Sequence, residues 1–210
     1  MSEQLILEKD LTRFERRKAS TRAKIIEAAE RLMRDRGGDA VTIQDITDAA
    51  DVGHGTFYLH FKNKWDVLRP LIARLSEQVH EKVDQAARGT TDPALRQALG
   101  LRLLLRAIVA DPLWSWYARS GMAFSRMVSE MGEPPTKDMT RGTASGRYSI
   151  IDLPVTLSFI NGAVTGMIRS ISDKNDVDEP IDHTVELILR VLGVGPDEAA
   201  RIVREPLEIH

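Results

Sequence analysis

Residues 42–64 read TIQDITDAADVGHGTFYLHFKNK, and two short helices can be drawn through them. Thr42 is placed to N-cap the first, with Asp45 three residues on to complete a capping box, and Ile43, Ile46, Ala49 and Ala50 form its apolar face. Asp51, Val52 and Gly53 interrupt that pattern as a tight turn. A second short helix then carries Thr56, Phe57, Tyr58 and His60, before Asn63 caps a third element. Two short helices joined by a few residues including a glycine make a helix-turn-helix. In that motif the second helix lies in the DNA major groove while the first crosses the backbone.

The residues of the second helix suit that task. Gly53, His54, Gly55, Thr56, Tyr58 and His60 are small, polar or aromatic, and the two glycines let backbone and ligand approach closely. Gln44, His54, Thr56 and Tyr58 are the candidates for base edges or nearby phosphates, since glutamine pairs with adenine and the threonine methyl with that of thymine. Arg22, Thr42, Lys62 and Lys64 are expected to hold phosphates, with Tyr58 as a further donor. The acidic residues Asp45, Asp48 and Asp51 are expected to point away from them.

Further out, residues 21–68, from TRAKIIEAAERLMRDRG through VTIQDITDAADVGHGTFYLHFKNKWDVL, resemble the N-terminal domain of the tetracycline-repressor-like (TetR) family of transcription regulators. GTFYLHFKNK is the most specific part of that likeness, which covers about a quarter of the chain. The resemblance implies an all-α fold in which a three-helix DNA-binding domain precedes a helical ligand-binding and dimerisation domain. The boundaries expected are 18–78 and 79–210. It also implies a homodimer with a four-helix bundle at its interface and repression relieved by a small-molecule inducer, and it places Gln44 where many relatives make a base contact.

Composition limits the alternatives. A net charge of −2 over 210 residues excludes a generally basic nucleic-acid coat, so DNA binding needs a local patch. Arg13, Arg16, Arg17, Lys18, Arg22 and Lys24, opposed within that window only by Glu15, supply one. The other reading of this run is a solvated helix start or a frayed arm. The chain contains no cysteine, which excludes disulfides and thiolate chemistry and is compatible with a reducing cytoplasm, the compartment expected here. MSEQLILEKD is too weakly apolar for a secretory signal. Residues 150–171 approach the length of a membrane span but contain Asp152, Pro154, Asn161 and Arg169, so a buried helix is expected instead.

In chain order, residues 1–19 read as a charged leader, with part-helical character open over Leu5 to Arg17, and a helix is expected from Ser20 or Thr21 to Arg36. The small domain's core is expected to hold Ile25, Ala29, Leu32, Val41, Ile46, Ala49, Phe57, Leu59 and Phe61. A long connecting helix begins at Asn63. Asp92-Pro93 and Asp111-Pro112 each cap and start another. The second of these carries Trp114, Tyr117, Phe124 and Met127 near one face as far as Met131. That cluster is either ordinary core or the wall of an apolar ligand cavity. Residues 132–147 read as an exposed, mobile loop. Two broadly apolar helices, about 150–172 and 181–192, have a stripe each to offer a second subunit, and Gly162 with Gly166 would allow close approach.

No HExxH, GxSxG, Walker or dinucleotide motif occurs, and the five histidines show no triad or metal-ligand spacing. No enzyme activity, cofactor or metal is therefore expected. The partners expected are a palindromic double-stranded DNA operator, an unknown small-molecule inducer and a second copy of the chain, with no membrane. The competing class is a helical protein-interaction adaptor, which would leave the basic arm unexplained and predicts no salt-dependent duplex binding.

Overall fold

The computed structural model describes residues 12–87, 90–120, 134–171 and 176–206. All regular structure among them is helical: α1 (Arg13–Arg36), α2 (Ile43–Ala50), α3 (His54–Tyr58), α4 (Leu68–Ala86), α5 (Pro93–Ala110), α6 (Pro112–Arg119), α7 (Pro134–Ala144), α8 (Leu153–Ser170), α9 (Asp178–Val191) and α10 (Pro196–Val203). The chain forms two compact units, one up to Leu71 and one from Ile72 onward.

In the first unit, α1 starts well before the expected Ser20. Thr12 caps it, accepting from the Glu15 amide at 3.2 Å while the Glu15 carboxylate accepts from the Thr12 amide at 2.8 Å. Arginine, lysine, glutamate and alanine are all good helix formers, so a run with the pattern of a charged leader continues the helix. Ile25, Ala29 and Met33 of α1, Ile46 of α2, Phe57 of α3 and the following Phe61 are buried together in this unit. Two expected core residues are not. Ala49 is exposed because α2 turns Ile46, Thr47 and Ala50 inward. Leu59 is 75% exposed, lying between the inward-facing Phe57 and Phe61.

Asn63 caps a 3-10 turn, Lys64–Val67, rather than an α-helix. Its Oδ1 accepts from the Trp65 and Asp66 amides at 2.9 and 3.1 Å. The α-helical part begins at Leu68, which puts Pro70 in the first turn, where a missing N–H costs nothing.

In the second unit, around an apolar core, two arginines clamp elements that are far apart in sequence. Arg102, only 6% exposed, donates to Asp182 at 2.9 Å and to the Glu205 carbonyl at 2.8 Å. Arg106 one turn on reaches Asp178 at 2.7 Å and Asp182 at 3.3 Å. A buried charge needs such partners, because unpaired it would cost several kcal/mol. α5 is thereby fastened to α9 and to the segment after α10.

Arg147 makes the second clamp, donating to Asp92 at 2.9 and 3.2 Å and to Glu198 at 2.8 and 3.2 Å. Asp92 also caps α5 through the Ala94 amide. The Arg147 hydrogen bond is the main reason its carboxyl is held below the usual aspartate range. A depressed folded-state pKa stabilises above the unfolded value of about 3.9, and that contribution disappears as pH falls through the folded value. Thermal melts of Arg147→Met are therefore expected to lie below the wild type at neutral pH, and the gap should narrow below about pH 4. A gap independent of pH would show that the clamp contributes only packing.

Within the stretch expected as a loop, residues 134–144 are helical instead. They form α7, with Met139 buried and Gly142 against Tyr148. A Cβ on Gly142 would collide with that ring, so the glycine that weakens the helix locally is required by its packing. Gly193, after α9, is constrained twice: its φ is +96°, and a Cβ would lie 3.0 Å from Ser149. There the Val194 amide closes on the Leu189 carbonyl at 3.0 Å, the bond pattern of a left-handed helix cap.

α8 and α9 each bury one stripe and expose another. Ile160, Val164, Met167 and Ile168 face inward on α8, as do Ile181, Val185, Ile188 and Leu189 on α9. Val155, Phe159, Leu187 and Val191 are exposed. No helix among the described residues is long and apolar enough to cross a membrane.

Candidate nucleic-acid interface

The helix-turn-helix is α2, the turn at Asp51–Gly53, and α3. Thr42 caps α2 with a full capping box. The helix ends at Asp51, in the left-handed region at φ 53°, a conformation that aspartate tolerates better than most residues. The Val52 amide returns to the Thr47 carbonyl at 3.0 Å, and buried Thr47 satisfies its hydroxyl on the Gln44 carbonyl. These bonds set the turn from which α3 emerges.

On α3, Phe57 is wholly buried and Tyr58 is 52% exposed. Tyr58 meets Phe57 edge-on at 5.6 Å and His54 at 5.4 Å, so its ring is braced by two neighbours while about half of the residue stays exposed. Gly53, His54 and Gly55 are exposed, and Thr56 and His60 are half-buried. A Cβ built on Gly55 meets nothing within 4 Å. The backbone of α3 is open to close approach there.

Gln44 is exposed on α2, its amide nitrogen 2.7 Å from Asp48. Lys62 is exposed, and Arg22 lies over the Phe61 ring at 5.1 Å.

Two expected phosphate donors are engaged elsewhere. The Lys64 ammonium donates to the carbonyls of Gly38 and Val41 at 2.9 and 2.8 Å, contacts that of Asp39 at 3.4 Å, and sits over Trp65. It closes the turn between α1 and α2 and has no donor left for DNA. The Thr42 hydroxyl donates to Asp45 at 2.5 Å within the capping box, so its only proton is used. The Asp45 carboxyl is held below its usual range by those Thr42 hydrogen bonds. Asp48 pairs with Gln44, and both Asp48 and Asp51 are exposed.

Sequence reasoning missed the neighbour of α3. Phe14, Arg17, Lys18 and Thr21 of α1 face Thr56, Leu59 and His60 across an open cleft of about 460 Å³. Phe14 and Leu59 are each 75% exposed at its edges. Burial, then the nearby positive charges of Lys18 and Arg22, lower the His60 pKa. The aromatic Phe14 inside a basic run was the available signal.

In the second unit, Trp114 and Tyr117 are 6% and 2% exposed and meet edge-to-face at 6.4 Å. Phe124 and Met127 lie outside the described residues, as does the expected continuation of that helix to Met131. No group of three or more potential metal ligands occurs among the described residues.

An exposed, braced reading helix on a capped partner, beside a basic face, defines a helix-turn-helix DNA-binding regulator. Residues 25–70 match the family described as bacterial regulatory proteins, tetR family, and residues 92–205 match the tetracyclin repressor-like C-terminal domain. The chain belongs to the TetR family of transcriptional regulators.

Among similar proteins are two from Pseudomonas putida: the probable HTH-type transcriptional regulator ArpR, 40% identical over 86 residues, and the HTH-type transcriptional regulator TtgR, 41% identical over 70. These matches take in 40% and 33% of this chain and span 39% and 31% of the relatives' own lengths. Over nearly the whole chain it resembles the crystal structure of RolR in complex with resorcinol. The TM-score is 0.76 at 30% identity, with 93% of this chain and 99% of that one covered.

Proposed function

We propose that the chain is a homodimeric repressor whose two α3 helices read a palindromic operator, and that a small, mainly apolar molecule binding in the second unit releases it. The observation that carries the dimer is the apolar stripe of Val155, Phe159, Leu187 and Val191, exposed on helices whose other faces are already buried. A short α3 reads only a few base pairs, so two copies spaced by a turn of DNA are needed for useful specificity. The α8 and α9 stripes supply the pairing, as a self-complementary two-fold contact.

For the ligand, RolR was crystallised with resorcinol, and its likeness to this chain extends over both units. A phenol of that size suits a site walled by aromatic residues with few polar groups. Trp114 and Tyr117 are the described residues assigned to that wall. Ligand binding must favour a conformation in which the two α3 helices have the wrong separation. α4, continuous through Leu71 and Ile72, is the covalent link through which that change travels.

The test is to footprint the purified chain on DNA flanking its own gene, then titrate resorcinol. A protected palindrome that is lost on adding resorcinol, with a change in tryptophan emission, is expected. In Trp114→Phe and Tyr117→Phe the resorcinol midpoint should move while the footprint persists. An unmoved midpoint in both variants would remove the pocket assignment. Protection insensitive to resorcinol would remove the ligand class and leave the operator reading standing.

A further inference from the structure

One wall of the cleft between the start of α1 and α3, formed by Phe14, Arg17, Lys18 and Thr21, precedes the stretch that matches the family, which begins at residue 25. From Arg13 to Lys24 the helix carries six cations, and residues 13–20 are exposed throughout. Its one carboxylate, Glu15, is turned back onto Thr12. Arg17 and Lys18 form one wall of the cleft, with Thr56, Leu59 and His60 opposite. The same helix α3 presents Tyr58 for reading.

We propose that this cleft seats a backbone phosphodiester of the operator, held by Arg17, Lys18 and His60, with Phe14 and Leu59 against the adjoining deoxyribose. Three observations point to that occupant. The wall is cationic, the cleft is continuous with the reading helix, and two large apolar side chains are 75% exposed at its rim. A phosphodiester with its flanking sugars offers the matching arrangement, an anionic centre with apolar edges. Contacts of this kind position a protein on the duplex without reading sequence.

His60 gives the site a proton linkage. Lys18 and Arg22 are the charges acting on it, Arg17 shares its cleft, and burial disfavours its charged form. An arriving phosphate reverses that balance. The imidazole takes up a proton on binding, so affinity rises as pH falls and the gain is lost as pH rises through the pKa of the bound state.

This inference rests on DNA binding through α3, and its test separates the two. The full-length chain selects a duplex from a random pool, and that duplex and an unselected one of equal length serve as probes in anisotropy titrations at several salt concentrations. Arg17→Ala with Lys18→Ala should weaken both probes in similar proportion and reduce the salt slope by about 2, one for the phosphate seated in each half-site of the dimer. Tyr58→Ala should weaken the selected duplex far more than the unselected one. His60→Gln should abolish the rise in affinity between pH 8 and pH 6 on the order of one proton's linkage. Neutral methylphosphonate linkages placed one at a time should identify one position per half-site that weakens wild type and no longer weakens the Arg17, Lys18 double variant.

An unchanged salt slope in that variant, or the same methylphosphonate sensitivity as wild type, would overturn the proposal while Tyr58 remained the reader. Failure of wild type to enrich any duplex would overturn both. The substituted residues are exposed or half-buried, so a thermal melt matching wild type is expected for each.

Discussion

Replacing Phe159 and Leu187 together by glutamate is expected to leave a folded monomer that has lost about 10²- to 10⁴-fold of its operator affinity. The two side chains are 59% and 57% exposed and flank a groove of about 450 Å³ completed by Ala163, Ile188, Arg190 and Val191. Neither contributes to the buried stripes of α8 or α9, so in the isolated chain their replacement exchanges apolar surface for charge at a cost within about 0.5 kcal/mol. Across a two-fold axis each change appears twice. Four carboxylates would then be buried against an apolar face, at several kcal/mol each without partners.

Gly162 and Gly166 reinforce this expectation. They lie on the same exposed stripe of α8, and a Cβ on either meets nothing within 4 Å, which leaves room for a partner helix to approach closely. The loss of affinity follows from losing the second half-site. Once one α3 is seated, a tethered second copy binds at high effective concentration, whereas a monomer must bind each half-site independently. Sedimentation equilibrium and anisotropy on the footprinted duplex measure the two effects, with circular dichroism confirming the fold. A dimer that survives both substitutions would place the interface elsewhere.

The same helices show which parts of the fold are legible in the sequence. Those whose apolar residues recur at helical spacing and begin at an Asp-Pro or Thr-x-x-Asp signal are readable, as α2, α5 and α6 illustrate. α7 is not, because its sequence of two prolines, threonines and glycine carries the local marks of a loop. It is helical through non-local packing, the burial of Met139 and the seat of Tyr148 on Gly142. The start of α1 is masked by its charge density, which has the pattern of a solvated arm, although the cap at Thr12 and the good helix formers after it are in plain view.

Site residues divide the same way. The exposure of Tyr58 and the burial of Phe57 follow from helical periodicity. The fate of Lys64 depends on carbonyls more than 20 residues away, and periodicity carries no information about them. The cleft at Phe14 depends on where α1 begins, so a misplaced helix start conceals the site as well.

Phe57 and Tyr58, adjacent on α3, are expected to fail in opposite ways. Phe57 is wholly buried, 5.6 Å from Phe61, in a unit that ends at Leu71. Removing a buried phenyl ring costs about 3–5 kcal/mol, against a total of only about 5–15 kcal/mol for a typical domain. In Phe57→Ala the first unit should melt early, so all DNA binding, selected or unselected, disappears near physiological temperature. Tyr58→Ala removes a ring that is 52% exposed and should change stability by about 0.5 kcal/mol or less. Its effect falls on reading instead: about 1–3 kcal/mol per half-site, counted twice in a dimer, with unselected duplex nearly unaffected. Thermal melts followed by circular dichroism, set beside anisotropy on the two duplexes, separate the cases. If Tyr58→Ala melted as early as Phe57→Ala, the tyrosine would belong to the core and the outward face of α3 would have to be redrawn around His54 and Gly55. If it kept both stability and selectivity, the reading contacts would lie on Gln44, His54 and Thr56.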